Sequence, residues 1–359
     1  MTTAMADSTS RIPLVHLTDL YHPAQDPDDQ FDLATVLALP EYDLRAVILD
    51  TTERFRKAAP AGWDVNRDPG LVIVTQASYL IARAIPVAVG PEAPLTSVND
   101  DARSRPSREQ AGIELLLETL RAADAPVVVS IVGSARVLTA AFNRDPALVR
   151  EKVRSVLLNA GTTVTRALEW NVQLDAAAFI GLWRSGLPVH WYPCATDKGA
   201  FDPKPERGTH WSASHEQLLA ELSPSWRAWF AYGLSGSARG DFIGALADLG
   251  RGSVWENILA GRRSLWSTVS LVMGAGRGLA KTAHGWRFVP RSEITTQQLC
   301  TWPLRLDPIS AKVGDDAQVA WSLATAGETS SRLFGRTPGA DYGAAMAEAL
   351  NALLRTLPE

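Results

Sequence analysis

The chain has 359 residues, with 35 Lys and Arg against 39 Asp and Glu and a formal net charge of −4. This balance gives no electrostatic case for binding nucleic acid or an anionic membrane surface, and it favours a small neutral or cationic ligand. Two cysteines, Cys194 and Cys300, are too few for a disulfide framework.

The N-terminal segment is polar and lacks the apolar core of a signal peptide, and no later stretch offers about eighteen uninterrupted apolar residues. We therefore expect a disordered N-terminus over residues 1–11, one domain over residues 12–359, no membrane partner and a cytoplasmic location.

Short apolar runs alternate with helical patterns through the first half of the chain, which is typical of βαβ units. The runs are nearly non-alternating, as expected for strands that helices cover on both faces. Predicted strands lie at 13–18, 44–49, 86–89, 126–132, 153–158 and 188–192, and predicted helices at 29–39, 69–84, 108–123, 135–143 and 175–185. The predicted fold class is α/β, an open and mostly parallel sheet flanked by helices.

Beyond residue 195 the pattern becomes helical and loop-rich. Residues 196–214 are rich in Lys, Asp, Pro, Gly and His and predict a long loop, and such loops are often lids or binding segments. The remaining elements are predicted as helices at 214–222, 225–233, 241–249, 265–274 and 342–357, with one strand at 286–290.

Four carboxylates follow the first predicted strand within eleven positions: Asp19, Asp26, Asp28 and Asp29. Ligands of open α/β sheets bind beyond the carboxyl ends of the strands, so this acidic loop is a candidate site. Clustered carboxylates repel each other unless a cation or a proton lies among them, and without accompanying thiols or histidines Ca²⁺ or Mg²⁺ suits them better than zinc. The alternative is structural, since Asp and Pro are common in turns and Asp caps helices.

The acidic loop also carries a resemblance to a known family. Residues 17–19 and 28–34 resemble the two halves of the Asp-Thr-Asp-Pro-Gly-x-Asp-Asp motif of the nucleoside hydrolases, with about five extra residues within 21–27. Residues 133–146 are similar to the family's Gly-Pro-Leu-Thr-Asn-Leu helix that ends in Asp-Pro. Residues 169–178 resemble its Glu-Phe-Asn and Asp-Pro-Glu-Ala-Ala signature, and the resemblance covers roughly residues 12 to 290.

The resemblance implies a calcium-dependent hydrolase that cleaves the N-glycosidic bond of a ribonucleoside with metal-activated water. Asp19 and Asp29 would bind Ca²⁺, a main-chain carbonyl near Val132 would be a further ligand, and Asp19 would also be the catalytic base.

The sugar would lie between two sets of side chains. Asp28 would accept hydrogen bonds from ribose hydroxyls, and Glu169 and Asn171 would hold the sugar from its other side. The alternative for Glu169 and Asn171 is capping of the helix that follows them.

One departure from the family concerns the ion. The family's late His-Asp pair, its last carboxylate ligand, is replaced by Leu265, Trp266, Ser267 and Thr268, so Ser267 would offer a hydroxyl and Trp266 a stacking wall. Fewer carboxylates weaken the binding of hard cations, which leaves an ion that is held weakly, held by Asp26, or absent.

Three functions remain open on these residues. The first is an N-glycosidase on a small nucleoside-like substrate, with His22, His210, His215 and His284 as candidate acids for the leaving base. The second is a catalytically silent nucleoside-binding protein, and the third is a biosynthetic enzyme acting on an unusual glycoside. Members of the resembled family are often oligomers, so a homo-oligomer is expected.

Overall fold

The computed structural model describes residues 11–56, 67–165 and 167–358. Of the segment predicted to be disordered, residues 1–10 lie outside the described residues. Among the described residues, no helix combines the length and the hydropathy that crossing a membrane requires.

A nine-stranded sheet forms the centre of the described structure, in the order β15-β14-β16-β8-β7-β6-β1-β3-β5. Its strands are β1 (Ile12–Thr18), β3 (Tyr42–Leu49), β5 (Val87–Val89), β6 (Val127–Ile131), β7 (Val153–Leu158), β8 (Val189–Trp191), β14 (Leu304–Val313), β15 (Val319–Leu323) and β16 (Arg332–Arg336). Smaller sheets contain β2 (Tyr21–His22), β4 (Asp68–Pro69), β9 (Trp211–Ser214), β10 (Arg262–Leu265), β11 (Arg277–Thr282), β12 (Gly285–Pro290) and β13 (Cys300–Trp302).

Helices cover both faces of this sheet. They are α1 (Asp28–Ala38), α2 (Glu53–Arg56), α3 (Leu71–Leu80), α4 (Ser107–Ala122), α5 (Arg136–Arg144), α6 (Pro146–Lys152), α7 (Trp170–Leu174), α8 (Ala176–Arg184), α9 (His215–Leu219), α10 (Pro224–Leu234), α11 (Gly252–Leu259), α12 (Thr268–Gly274), α13 (Arg291–Gln297) and α14 (Tyr342–Leu354), with a 3₁₀ turn at Gly244–Ala247.

Strand β1 shows why its apolar run does not alternate with polar residues. Leu14 packs into one core with α1, α3, α10, α12 and α14, whereas Val15 and Leu17 pack into a second core with α4, α5 and α8. Both faces of the strand are buried, as expected for a parallel sheet between helical layers. The predicted α/β class is confirmed.

The parallel register brings four strand ends to one edge of the sheet. Thr18 lies opposite Leu49, Leu17 lies opposite Ile131, and Ile131 lies opposite Leu158. The segments that follow β1, β3, β6 and β7 therefore meet beyond this edge, where open α/β sheets bind ligands.

The C-terminal part differs from the prediction of helices and loops. It adds β16 parallel to β8, then β14 antiparallel to β16, and β15 antiparallel to β14. β14 is largely half-buried and carries Arg305, Asp307, Pro308 and Lys312, so it lacks the apolar run by which the buried strands were recognised. β15 is apolar except for Ser322, but it has only five residues and is half-buried or exposed.

Three further predictions in this half are wrong in detail. The helix predicted at 241–249 is only the 3₁₀ turn, because the Asp241 carboxylate accepts a hydrogen bond from the Gly244 amide at 2.9 Å and so favours a local turn. The loop predicted at 196–214 ends in β9, and the helix predicted from 265 begins at Thr268. Trp266 and Ser267 consequently connect β10 to α12.

A fully buried arginine joins the segments behind the strand ends. Arg136 donates through Nη1 to the carbonyls of Thr51 and Pro91, both at 2.7 Å, and through Nη2 to the carbonyl of Leu174 at 3.1 Å. Its Nε donates to the Asp175 carboxylate at 3.0 Å, and both side chains are fully buried. One guanidinium thus connects the segments after β3 and β5 to the junction between α7 and α8.

We predict that Arg136→Met lowers the free energy of unfolding by about 3–5 kcal/mol, because it leaves a buried carboxylate without its charge partner. Arg184→Met is the matched control, since Arg184 is half exposed and its partner Asp315 is 94% exposed, so this variant should lose about 1 kcal/mol or less. Urea denaturation measures both. Equal losses in the two variants would contradict the structural role of Arg136.

Candidate functional site

Small-molecule sites are typically clefts of about 300–1,000 Å³, and the pocket at the strand-end edge has a volume of about 610 Å³. Its described lining residues come from the segments after β1, β6, β7, β8 and β10: Asp19, Gln25, Asp26, Asp28, Asp29, Val132, Ala167, Leu168, Glu169, Trp170, Asn171, Cys194, Ala195, Gly199, Ala200, Phe201, Trp266 and Ser267. All eight residues predicted from the sequence to form the site are among them: Asp19, Asp28, Asp29, Val132, Glu169, Asn171, Trp266 and Ser267.

Asp19 lies one residue beyond β1 and is 7% exposed. A Cβ atom at Gly133 would stand 3.1 Å from Asp19 Oδ1 and 2.9 Å from Asp50 Oδ2, so only glycine leaves room for the two carboxylates. Burial, and then the charge of Asp50, raise the pKa of Asp19 well above its usual value. Asp19 therefore holds a proton more strongly than an exposed carboxylate does.

Asp50 itself has fixed partners, which the sequence did not indicate. Its carboxylate accepts from the amide of Ser134 at 2.7 Å and from the Ser134 hydroxyl at 2.9 Å, and the Arg136 guanidinium lies 3.8 Å away. Burial raises the pKa of Asp50, whereas Arg136 lowers it. The segment that follows β3 thus supports Asp19 through Asp50.

Asp28 and Asp29 open helix α1, where the helix dipole favours negative charge. The Thr18 hydroxyl donates to Asp29 Oδ1, and the Asp29 amide donates to Asp28 Oδ1 at 3.1 Å. Burial and the neighbouring carboxylates raise the pKa of both groups well above the usual range. Asp28 and Asp29 therefore lie in the first turn of α1, as the structural alternative expected, and they also line the pocket.

Asp26 lies in the segment that is inserted relative to the family motif. Its Oδ1 is 2.9 Å from Arg263 Nη1 of β10, and the same oxygen accepts from the Asp28 amide at 3.5 Å. This ion pair fastens the inserted segment to β10 and places Asp26 in the pocket wall.

Glu169 and Asn171 line the opposite wall and also organise the chain there. Glu169 caps α7, accepting from the amides of Gly161 at 2.7 Å and Asn171 at 3.0 Å, and burial raises its pKa to about 7. The Asn171 side-chain amide donates to the carbonyls of Val132 at 3.0 Å and Asn159 at 2.9 Å. Glu169 therefore caps a helix, as the alternative expected, and both Glu169 and Asn171 also line the pocket.

Two aromatic side chains, Phe201 and Trp266, line the pocket, and His210 packs against both rings without lining the cavity; we call the three together the aromatic wall. The Trp266 ring centroid lies 5.1 Å from that of His210 and 5.4 Å from that of Phe201. Trp266 Nε1 donates to the Ala200 carbonyl at 2.9 Å, which fixes the ring. Phe201 was not predicted, and its only sequence signal is its position in the long loop.

The histidine of the aromatic wall has one fixed contact. His210 Nε2 lies 3.2 Å from the Ser264 hydroxyl, and burial lowers its pKa to about 4, so the imidazole is neutral at pH 7. Among the described residues that line the pocket, none is a histidine. The four histidines considered as acids are therefore not placed against the cavity.

The residues predicted to bind calcium all line one pocket: Asp19, Asp29, Val132 through its carbonyl, and Ser267. All of them offer oxygen atoms, which suits a hard divalent ion. Only Asp19 and Asp29 are carboxylates, and the Val132 carbonyl already accepts from Asn171. Within residues 11–56, 67–165 and 167–358, no three side chains of His, Cys, Asp or Glu are grouped as a metal centre. The donor set thus suits Ca²⁺ in kind but carries little charge to hold it.

Asp32 lies one turn into α1 behind these ligands and is 1% exposed. The nearby Ser267 lowers its pKa in part, but neither carboxylate oxygen has a hydrogen bond of normal geometry. Burial dominates and raises the pKa of Asp32 to about 7. Its ionisation in the folded protein is therefore costly.

This burial predicts a pH-dependent stability. The folded-state pKa of Asp32 lies above the unfolded value, so its contribution is fully present at pH below about 4 and is lost as the pH rises through about 7. In EDTA, Asp32→Asn should be more stable than the wild type at pH 8 by about 2–4 kcal/mol, with a smaller gain at pH 5. Denaturation at both pH values measures this, with Asp315→Asn as the exposed control. An equal effect at both pH values would contradict it.

Solved structures provide the comparison with known proteins, since no family model and no curated protein matches the sequence. A purine-preferring ribonucleoside hydrolase from Gardnerella vaginalis aligns with a TM-score of 0.51 at 12% identity, over 96% of this chain and 99% of that chain. An inosine-guanosine nucleoside hydrolase aligns with a TM-score of 0.50 at 12% identity, over 97% and 98%. The type III effector XopQ, solved with adenosine diphosphate ribose, gives 0.51 at 15%, over 98% and 95%. The chain therefore has the nucleoside hydrolase fold, with a strongly diverged sequence.

Proposed function

We propose that this protein hydrolyses the N-glycosidic bond of a ribosyl compound, with Asp19 as the base that activates water. The observation that carries the proposal is the placement of Asp19, Asp28, Asp29 and Glu169 around one cavity at the carboxyl ends of parallel strands. The nucleoside hydrolase fold agrees with it. XopQ was solved with adenosine diphosphate ribose, so ribosyl nucleotides as well as nucleosides are candidate substrates.

Cleavage of an N-glycosidic bond builds positive charge on the sugar while water attacks its anomeric carbon. Carboxylates near the sugar stabilise this charge, and a base must accept the proton of the water. Asp19 suits the second role because burial and the charge of Asp50 raise its pKa above its usual value, which makes its carboxylate a stronger base.

The sugar would lie between Asp28 on one side and Glu169 and Asn171 on the other. The Asn171 amide protons are both used by main-chain carbonyls, so its Oδ1 is oriented to accept from a sugar hydroxyl. Such fixed acceptors select a ribose orientation without rearrangement on binding.

Calcium, where it binds, would be held by Asp19, Asp29, the Val132 carbonyl and Ser267. A divalent ion at such a position lowers the pKa of its water. The protein's own residues accept the proton and orient the sugar: Asp19 in the first role, and Asp28, Glu169 and Asn171 in the second. A homo-oligomer and a cytoplasmic location stay predictions.

A silent nucleoside-binding protein is the second candidate. It is favoured by the hydroxyl of Ser267 at the position where the family has a carboxylate. Binding of a ribosyl compound without release of free base under any metal condition would support it over the hydrolase.

We predict that Asp19→Asn lowers kcat by about 100-fold or more, because general bases typically contribute this much. Release of free base and reducing sugar from a panel of nucleosides and ribosyl nucleotides, with Ca²⁺ and with EDTA, measures the activity. Asp315→Asn, which removes a 94% exposed carboxylate, is the control and should leave kcat unchanged. Wild-type turnover that survives in Asp19→Asn would contradict the role of Asp19, and no turnover of any compound would contradict the hydrolase.

We also predict that the wild type binds Ca²⁺ weakly, with a dissociation constant of about 0.1–1 mM, because ligand charge determines affinity for this ion. Ser267→Asp should tighten binding about tenfold or more by restoring a third carboxylate. Isothermal titration calorimetry measures both. Ser322→Asp adds the same charge on the exposed strand β15 and should change nothing. Micromolar binding by the wild type would refute the ligand set.

A further inference from the structure

The pocket is strongly one-sided in charge. Its described lining residues include five acidic side chains (Asp19, Asp26, Asp28, Asp29 and Glu169) and, among those described residues, no Lys, Arg or His. Asp32 lies behind them, buried and without a hydrogen bond of normal geometry on either carboxylate oxygen. Several carboxylates in one buried site favour a bound positive charge, because each lowers the free energy of a cation placed among them.

The arginine side chains that the structure describes near this cluster do not line the cavity. Arg263 pairs with Asp26 at 2.9 Å and does not line the cavity. Arg136 lies 3.8 Å from Asp50 and is committed to Asp175 and main-chain carbonyls. Arg54 lies over the ring of Trp170, 4.2 Å from its centroid. Among the described residues, no cationic side chain inside the cavity balances these carboxylates, so a positively charged ligand would find them available.

The aromatic wall adds a surface that suits a flat cation. Trp266 and Phe201 both line the cavity, and Phe201 is 68% exposed, so its ring lies at the rim. The faces of aromatic rings attract cations. A planar heterocycle with a positive charge is attracted both to this wall and to the acidic side chains.

The chemistry of the leaving group also favours a positively charged ligand. A neutral purine or pyrimidine departs well only after it is protonated, yet no histidine is among the described residues that line the cavity, and the nearby His210 directs its Nε2 at Ser264. A base that already carries a quaternary ring nitrogen needs no proton donor.

We propose, building on the hydrolase function proposed above, that the substrate is a cationic N-glycoside, such as a pyridinium riboside or an N-alkylated purine riboside. Water forms the new C1′–O bond while the C1′–N bond breaks. The electron pair of the broken bond neutralises the ring nitrogen, the water's proton passes to Asp19, and the products are the free sugar and a neutral heterocycle.

The experiment compares two matched pairs that differ mainly in charge: 7-methylguanosine with guanosine, and nicotinamide riboside with its reduced dihydro form. Calorimetry on the uncleaving variant Asp19→Asn measures binding, and wild-type turnover is measured separately. We expect the cationic member of at least one pair to bind about tenfold tighter, since it gains one charge contact and one ring contact.

A variant separates the contribution of the aromatic wall. Trp266→Leu should weaken the binding of the cationic member more than that of its neutral partner, because only the former loses a cation–π contact. Tyr79→Leu removes an aromatic ring that is 61% exposed on α3 and should leave both affinities unchanged.

The outcomes distinguish this inference from the hydrolase proposal. Neutral members that bind as tightly as the cations in both pairs would overturn the inference, even with rapid turnover of neutral nucleosides. No binding of any of the four compounds would overturn it too. Selective binding of the cations without turnover by the wild type would support the inference for the pocket and contradict the hydrolase.

Discussion

The constraint on which this structure depends is electrostatic: carboxylates that are buried close together cannot all be charged without a positive partner. Asp19, Asp28, Asp29 and Asp32 all have a raised pKa for this reason. Such an arrangement costs stability in the absence of a cation or protons. Its placement at a cavity rather than in the core indicates that the cost is maintained for function.

The contrast with the neighbouring buried charges is informative. Arg136 and Asp175 are fully buried as well, but they pair at 3.0 Å, and the other guanidinium donors have main-chain acceptors. Their network shapes the segments behind the strand ends and leaves no charge for a ligand. The protein therefore contains two buried sets of charged groups. In one, Arg136 and Asp175 neutralise each other; in the other, the carboxylates at the cavity have no cationic partner inside it among the described residues.

The departures from the nucleoside hydrolase pattern act together when they are placed in the structure. The change to Ser267 removes charge from the ion site, while the inserted segment brings Asp26 into the wall and Arg263 holds it there. The loop after β8 adds Phe201 against Trp266. Asp26, Phe201 and Trp266 all line the same cavity, so these changes bring negative charge and aromatic surface to one site, and such sites rather than the fold distinguish functions.

The sequence by itself determined the first six strands of the sheet and the acidic loop, because buried parallel strands are apolar runs and carboxylates beyond a strand end are conspicuous. It also determined that Glu169 and Asn171 belong with them, through the order of the motifs. Only the tertiary structure decided that β14, β15 and β16 complete the sheet, because β14 and β16 carry charged residues and β15 is a run of only five residues. The partners of Asp26 and Asp50, and the burial of Asp32 without a hydrogen bond of normal geometry, also required the structure. Whether a carboxylate is paired depends on residues as distant in the chain as Arg263, and no local pattern reports that distance.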